Sequence, residues 1–204
     1  SAARHEVLPM PRSTPCPWPR NDLDRRYHDA EWGVPLHDDR ALFELLTLEG
    51  AQAGLSWSIV LAKREHYREA FDRFDPERIA RYSAAKVATL LQNPGIVRNR
   101  LKVASTISNA KAYLALRDAG ITLADFLWAF PDPSGRRTPI INRPASMADI
   151  PTRTPLSDAM SKALAKRGFR FVGSTIMYAF MQASGMVNDH LRTCPYAPPR
   201  KPSP

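Results

Sequence analysis

The chain has 204 residues, of which 44% are hydrophobic and 24% charged, and its 29 Lys and Arg against 20 Asp and Glu give a formal net charge of +9. These fractions are ordinary for a folded protein and argue against global disorder, and the length allows a sizeable hydrophobic core. Only 2 cysteines are present, too few for a disulfide scaffold. The positive charge favours an anionic partner, with nucleic acid as the first candidate.

The longest segment without a charged residue, 171–188, predicts a buried core helix rather than a membrane span, because it carries several polar side chains. The N-terminus lacks the apolar region of a secretory signal. We therefore expect a cytoplasmic protein that has no membrane partner, and we expect it to be a monomer.

The 19 prolines cluster near both ends of the chain and between Pro131 and Pro155, and proline breaks helix interiors. We therefore predict an all-α fold with a Pro-rich arm (1–15), one helical domain (16–194) and a Pro-rich tail (195–204). Within the domain, an irregular connector (131–155) joins two helical blocks, 36–130 and 156–194.

Helix boundaries are indicated by residues that cap helix N-termini, here Asp38, Ser56, Asp75, Ser83, Thr122 and Ser157. The segment after Ser56, WSIVLAKREHYREAFDRF, predicts one amphipathic helix, because its charges interleave with an apolar face. Gly120 and Gly168 predict helix ends.

A group of aromatic residues and one acid occurs in the first third of the chain, at Tyr27, Trp32, Glu49 and Trp57. Glu49 ends an otherwise apolar helical segment, and a buried carboxylate costs free energy unless something pairs with it. A carboxylate among aromatic rings suits a flat ligand that is cationic or forms hydrogen bonds. The alternative is that the tryptophans belong to the core and Glu49 caps a helix.

Residues 93–95, Asn-Pro-Gly, predict a tight turn between two helices, in which Gly95 can take a positive φ. We expect the next helix to start at once with Arg98, Arg100 and Lys102. Free backbone amides and the helix dipole favour an anion there. The pattern resembles a helix-hairpin-helix element that holds a DNA phosphate, and the alternative is a plain corner between helices.

The cysteines and two of the histidines form two pairs at opposite ends of the chain, Cys16 with His28 and His190 with Cys194. On a helix, His190 and Cys194 would face the same side. Together the pairs suit a tetrahedral zinc site, which four protein ligands would make structural. The alternatives are a Cys16–Cys194 disulfide and four unrelated residues.

The strings YHDAEWGVP, LEGAQAGLSW, FDRFDPERIA, NPGIVRNRLK and SDAMSKALAKRGFRFVGSTIMYAFMQASGMVNDH resemble the 3-methyladenine DNA glycosylase I family. The resemblance is collinear and extends from Cys16 to Cys194. It implies an all-α helix-hairpin-helix glycosylase in which Zn²⁺ joins the two termini through Cys16, His28, His190 and Cys194. The chain departs from the family pattern at Asp24, where an aromatic residue is expected.

The resemblance also implies the activity, which is excision of 3-methyladenine from alkylated double-stranded DNA by hydrolysis of the N-glycosidic bond. Glu49 matches the acid that reads the base, Tyr27 and Trp57 match aromatic residues of the pocket, and Trp32 belongs to the same wall.

Our hypothesis assigns catalysis to Glu49 and Tyr27, filling of the gap in the DNA to Leu55, and DNA backbone binding to Gly95, Arg98, Arg100 and Lys102. No aspartate occurs between residues 98 and 117, where related glycosylases place one. The alternatives are a non-catalytic, zinc-stapled nucleic-acid-binding module and a zinc hydrolase, which needs an open metal position.

Overall fold

The computed structural model describes residues 16–198, which form ten α-helices and very little sheet. The helices are α1 (Asp22–Ala30), α2 (Asp39–Gln52), α3 (Trp57–Ala62), α4 (Arg64–Ala70), α5 (Pro76–Ile79), α6 (Ala84–Gln92), α7 (Arg100–Asp118), α8 (Leu123–Trp128), α9 (Pro155–Lys166) and α10 (Ser174–Ala183). The all-α prediction is confirmed. The predicted arm, 1–15, and residues 199–204 of the predicted tail lie outside the described residues. Among those that are described, no helix is long and apolar enough to cross a membrane.

The two strands are short and join distant parts of the chain. The strand β1 (Ile140–Ile141) lies in the predicted connector and pairs in parallel with β2 (Val187–Asn188). A 3₁₀ turn at Met147–Asp149 is the other regular element of the connector. The connector is therefore tied to the chain that follows α10 through this strand pair.

Most of the predicted N-caps are confirmed by side-chain hydrogen bonds. Asp38 accepts one from the Ala41 amide at 2.8 Å, and Asp75, Ser83 and Thr122 act in the same way. Ser56 precedes α3 but makes no such bond.

The prediction that Ser157 is an N-cap is wrong. Thr154 caps α9 and Pro155 takes the first helical position. Ser157 is the third helical residue and forms a capping box with Thr154. The Thr154 amide donates to Ser157 Oγ at 2.8 Å, and the Ser157 amide donates to Thr154 Oγ1 at 3.2 Å. Proline suits the first position because it has no amide hydrogen to satisfy.

The single amphipathic helix predicted after Ser56 is also wrong, because the segment is broken twice. Lys63 separates α3 from α4, and residues 72–74 adopt positive φ values of 49°, 55° and 57°. The second break buries Phe74 completely in the core. Tyr82 stabilises the reversal by donating a hydrogen bond from its hydroxyl to Asp72 Oδ2 at 2.6 Å.

The second helical block ends earlier than predicted. The helix α10 ends at Ala183, and the chain from 184 to 194 consists of β2 and turns rather than helix. The segment after α1 lies along this end of α10, where the Gly33 amide donates to Gln182 O at 3.1 Å and the Leu36 amide donates to Ser184 O at 2.9 Å.

The helix α2 is the centre of the fold. Its buried side chains include Leu42, Phe43, Leu46 and Leu48, each at most 1% exposed, and it packs against α3, α7, α8 and α10. Burial of each such side chain contributes about 1.5–3 kcal/mol. Because α2 is enclosed by other helices, its last turn delivers Glu49 into the interior.

We expect Gly185→Ala to destabilise the fold more than Gly120→Ala does. Both glycines have positive φ values, +71° and +78°, but a Cβ at Gly185 would lie 2.3 Å from Val34 C, whereas none of the described atoms lies within 4 Å at Gly120. Backbone strain should cost about 1–2 kcal/mol at each position, and the clash should add about 1–3 kcal/mol at Gly185. Urea unfolding measures both losses, and equal losses would contradict the packing argument.

Candidate functional site

A cavity of about 350 Å³ opens beside the last turn of α2. We call it the aromatic cavity. It brings together Tyr27, Trp32, Glu49 and Trp57, the four residues that the sequence singled out, although they come from four separate segments. Its other lining residues are Trp18, Gln52, Met147, Ile150, Pro151, Thr152, Thr175, Tyr178, Ala179 and Gln182.

Glu49 is the buried acid of the aromatic cavity. The residue is only 4% exposed, and this burial raises the pKa of its carboxyl group to about 8. Its Oε2 atom has no hydrogen-bond partner among the described residues. Glu49 lies within α2, three residues before its last residue, and lines the cavity, so it does not act as a helix cap.

Three more buried polar atoms around the aromatic cavity lack a partner among residues 16–198, namely Trp18 Nε1, the Tyr27 hydroxyl and Trp57 Nε1. Buried polar groups in proteins are nearly always hydrogen-bonded, and each exception requires an explanation. Four such atoms on residues of one cavity, with both donors and an acceptor among them, indicate a ligand that supplies the missing hydrogen bonds.

The aromatic rings form an angled wall. The Tyr27 and Trp57 ring centroids are 5.3 Å apart at 46°, and the Trp18 ring meets those of Tyr27 and Trp32 edge-on at 6.4 and 5.4 Å. Such a wall offers ring faces and edges on which a flat ligand stacks. Trp18 was missed by sequence reasoning, and its position two residues after Cys16 was the available signal.

The opposite wall depends on a buried acid that sequence reasoning also missed. Asp189, 1% exposed, accepts hydrogen bonds from the Tyr178 hydroxyl at 2.5 Å and from Gln182 Nε2 at 2.8 Å. It also accepts one from Asn142 Nδ2 at 2.8 Å. These bonds fix two lining residues of α10, and through Asn142 they tie the connector to the same wall.

Asp24 does not lie in the wall of the aromatic cavity. It is 1% exposed, and its Oδ2 accepts hydrogen bonds from Ser58 Oγ at 2.6 Å and from the Arg20 amide at 3.0 Å. An acid therefore replaces the expected aromatic residue in a position where polar partners from α3 and the N-terminal segment satisfy one of its oxygens.

Residues 53–56, which we call the wedge loop, connect α2 to α3 beside the aromatic cavity. Gly54 has a φ of +78° and Leu55 is 38% exposed, although it is a large hydrophobic residue. The loop joins Gln52 to Trp57, which both line the cavity, and Leu55 is the large apolar residue that it exposes.

The loop between α6 and α7, residues 93–99, is the hairpin loop. The helix α7 starts at Arg100 rather than directly after Gly95, because Asn99 is its N-cap. Gly95 does not have the positive φ that we expected. A glycine is needed for another reason, since a Cβ there would lie 2.8 Å from two atoms of His66.

The predicted DNA-contacting residues of this region differ in their surroundings. Arg98 and Arg100 are exposed. The amides of Gly95 and Val97 are already used, donating to Asn93 Oδ1 at 2.8 Å and to the Tyr67 hydroxyl at 3.1 Å. Lys102 is half-buried and points toward α2.

Four buried residues, Cys16, His28, His190 and Cys194, place their ligand atoms within 4.8 Å of one another. We call them the four-ligand cluster. Sulfur-to-nitrogen distances are 3.9 Å from Cys16 to His190 Nδ1, 3.7 Å from Cys194 to His28 Nε2, and 3.5 Å from Cys194 to His190 Nδ1. The four residues are close enough to bind a metal ion. Cys16 and Cys194 are not joined in the disulfide that the sequence left open.

The remaining ring nitrogens of the cluster have fixed partners. His28 Nδ1 lies 2.6 Å from Asp29 Oδ1, and His190 Nε2 lies 2.9 Å from Trp32 O. Such contacts set the tautomer of a metal-ligating histidine. The expectation that His190 and Cys194 share a helix is wrong, because a turn closed by the Cys194 amide and Leu191 O at 2.7 Å brings them together.

The protein therefore combines an all-α fold with an aromatic cavity that contains a buried acid. Residues 18–197 match the family model described as methyladenine glycosylase. The chain belongs to this methyladenine glycosylase family.

A DNA-3-methyladenine glycosylase of Haemophilus influenzae is 48% identical over 184 residues, which are 90% of this chain and 97% of that protein. The crystal structure of a 3-methyladenine DNA glycosylase I is 54% identical with a TM-score of 0.87, covering 90% of this chain and 99% of that chain. A variant of 3-methyladenine DNA glycosylase I in complex with 3-methyladenine is 34% identical with a TM-score of 0.84, covering 89% and 96%.

We expect Glu49→Gln to gain stability relative to the wild type as the pH rises from 5 to 8. In the folded protein, burial raises the pKa of Glu49 to about 8, so Glu49 keeps its proton up to that pH, whereas in the unfolded chain it loses the proton near the ordinary glutamate pKa of 4.5. Unfolding therefore releases a proton across this range, so a rise in pH favours the unfolded wild type. Melting temperatures of both proteins at pH 5 and pH 8 test the prediction.

An exposed acid of α4 gives the matched control, Glu69→Gln. Its melting temperature should follow that of the wild type at both pH values. A constant difference between Glu49→Gln and the wild type across the range would contradict the assignment.

Proposed function

We propose that the chain is a DNA glycosylase that extracts 3-methyladenine from alkylated duplex DNA and hydrolyses its N-glycosidic bond. The observation that carries the proposal is the buried carboxylate of Glu49 in an aromatic cavity with four unpartnered polar atoms. Membership of the methyladenine glycosylase family and the likeness to a 3-methyladenine complex support it.

The chemistry of the damaged base matches that of the aromatic cavity. N3-methylated adenine in DNA is cationic and flat, and it has an amino group that donates hydrogen bonds. Glu49 accepts hydrogen bonds from the base edge and, when ionised, favours the positive charge, while Tyr27 and Trp57 stack on or enclose the ring. Stacking contributes about 1–3 kcal/mol per base, and a cation against a desolvated ring gains about 2 kcal/mol.

The positive charge of the base also determines the reaction. It weakens the bond between N9 of the base and C1′ of the sugar, so the leaving group needs no protonation. Water attacks C1′, the bonding electron pair goes to the base, which leaves neutral, and the proton of the water passes to solvent. The protein has to rotate the nucleotide out of the stack, at a cost of a few kcal/mol, and hold the base.

The DNA backbone is bound by the hairpin loop and the first turn of α7. Arg98 and Arg100 are exposed there, and the net charge is +9. Binding of this kind is independent of sequence and weakens with salt. Leu55 of the wedge loop fills the gap that the extracted base leaves in the stack.

We expect Glu49→Gln to lower the rate of 3-methyladenine release about 10- to 100-fold. The factor corresponds to the loss of a hydrogen bond to a charged group, which contributes about 1.5–3 kcal/mol. In the wild type, kcat/KM should rise with pH toward about 8, because burial places the pKa of Glu49 there. The variant should lack this rise.

The assay measures released base from methylated duplex DNA between pH 6 and 9, with Glu69→Gln as the control variant. Wild-type rates and pH profile in Glu49→Gln would exclude a role for Glu49. No base release by the wild type, together with retained DNA binding, would instead indicate a non-catalytic nucleic-acid-binding module.

The four-ligand cluster is a structural zinc site in this proposal. Two thiolates and two imidazoles are a tetrahedral zinc donor set, in which sulfur and nitrogen ligands lie about 3.6 Å apart, close to the 3.5–3.9 Å found. Four protein ligands leave no open position for water, which argues against a zinc hydrolase. When bound, zinc supplies a crosslink between the N-terminal segment and the chain that follows β2.

We expect the purified protein to contain one zinc ion per chain and Cys194→Ser to lose it. Removal of zinc by a chelator should lower the melting temperature by at least about 5 °C, because four buried ligands lose their common partner. Elemental analysis and calorimetry measure the two effects, and His37→Asn, at an exposed histidine, is the control. An unchanged melting temperature after complete removal would contradict a structural role.

A further inference from the structure

Lys102, close to the hairpin loop, is half-buried, and its ammonium group contacts the end of α2. Its Nζ atom donates hydrogen bonds to Ala51 O at 2.8 Å and to Ala53 O at 2.6 Å. Burial lowers the pKa of Lys102 below its usual value. Burial removes part of the water that solvates the ammonium group, and the two hydrogen bonds to carbonyl oxygens offset that free-energy cost.

The two carbonyls belong to the point where α2 becomes the wedge loop. Ala51 is in the last turn of α2 and Ala53 is its C-cap. The last carbonyls of a helix have no partner within the helix, and the negative end of the helix dipole attracts a cation. Leu55 follows two residues after Ala53, so the ammonium group holds the base of the loop that presents it.

The backbone of Lys102 belongs to the first turn of α7, next to the hairpin loop. The Lys102 amide donates a hydrogen bond to Asn99 Oδ1 at 3.0 Å in the N-cap of α7. The hairpin loop is itself anchored, because Lys63 Nζ donates to Pro94 O at 2.8 Å. Lys102 thus connects the element that binds phosphate to the loop that carries Leu55.

We propose that Lys102 is a positioning residue that couples the hairpin loop to the wedge loop, so that DNA bound at the hairpin meets Leu55 at a fixed distance and orientation. The inference rests on the proposed function. It replaces the direct phosphate contact that the sequence suggested for Lys102, since both contacts of its ammonium group are with backbone carbonyls.

The test compares Lys102→Met with Lys102→Arg and with Lys111→Met, which removes an exposed lysine from the same helix. The duplex carries a stable abasic-site analogue with 2-aminopurine as the neighbouring base. Fluorescence of 2-aminopurine reports insertion of Leu55 without any chemical step. Lys102→Met should lower the fluorescence change at saturation about fivefold or more, while Lys102→Arg should retain most of it and Lys111→Met all of it.

Two further measurements separate coupling from other roles. A lost phosphate contact would reduce the slope of log affinity against log salt by about one, whereas loss of the coupling leaves the slope unchanged. Binding of free 3-methyladenine, followed by tryptophan fluorescence, should stay within about twofold of the wild type, because the aromatic cavity is intact. A reduced slope, or equal losses of free-base binding and insertion, would overturn the inference.

A double-mutant cycle makes the final test. If Lys102 acts through Leu55, then Lys102→Met should lower base release from duplex DNA about tenfold in the wild type and no more than about twofold in Leu55→Ala. Additive losses would overturn the coupling. Failure of the proposed function would look different, since the wild type would then release no base while 2-aminopurine insertion could still be measured.

Discussion

The helix α1 carries two adjacent residues that belong to different sites, and this sharing constrains the rest of the structure. Tyr27 lines the aromatic cavity, while His28 belongs to the four-ligand cluster. Trp32 joins the two sites a second time, because its ring lines the cavity and its carbonyl contacts His190 Nε2 at 2.9 Å. Whatever fixes the cluster therefore fixes one wall of the cavity.

The buried acid of the aromatic cavity lowers the stability of the fold and, in the proposed function, serves to recognise the ligand. Glu49 lies in the last turn of the helix at the centre of the fold, with one oxygen unpaired and its pKa raised by burial to about 8. An arrangement that is unfavourable in the unliganded protein becomes favourable with a cationic ligand that supplies both charge and hydrogen bonds. The cost is tolerated because the surrounding helices hold α2 in place. In the proposed function, the wedge loop and the hairpin loop contact the DNA beside this cavity.

Sequence reasoning identified the side chains that come together in the cavity and the cluster more reliably than their surroundings. Glu49 stood out because an acid in an apolar segment is costly, and the cysteine and histidine pairs stood out by residue type. The helix predicted for His190 and Cys194 is wrong, yet the pair converges, because a turn can also bring such residues together. Trp18 and Asp189 were missed, since a lone tryptophan among prolines and one acid before a histidine have no periodic signal.

The sequence by itself determined the all-α class, half of the helix starts and the set of chemical groups, because proline positions, capping residues and apolar periodicity act locally. Only the tertiary structure decided which of these groups meet. Contacts between distant segments, such as Cys16 with His190 or Lys102 with Ala51, depend on how whole helices pack. A lysine beside a hairpin looks the same in sequence whether it faces a phosphate or a carbonyl, and the packing of α7 against α2 decides between them.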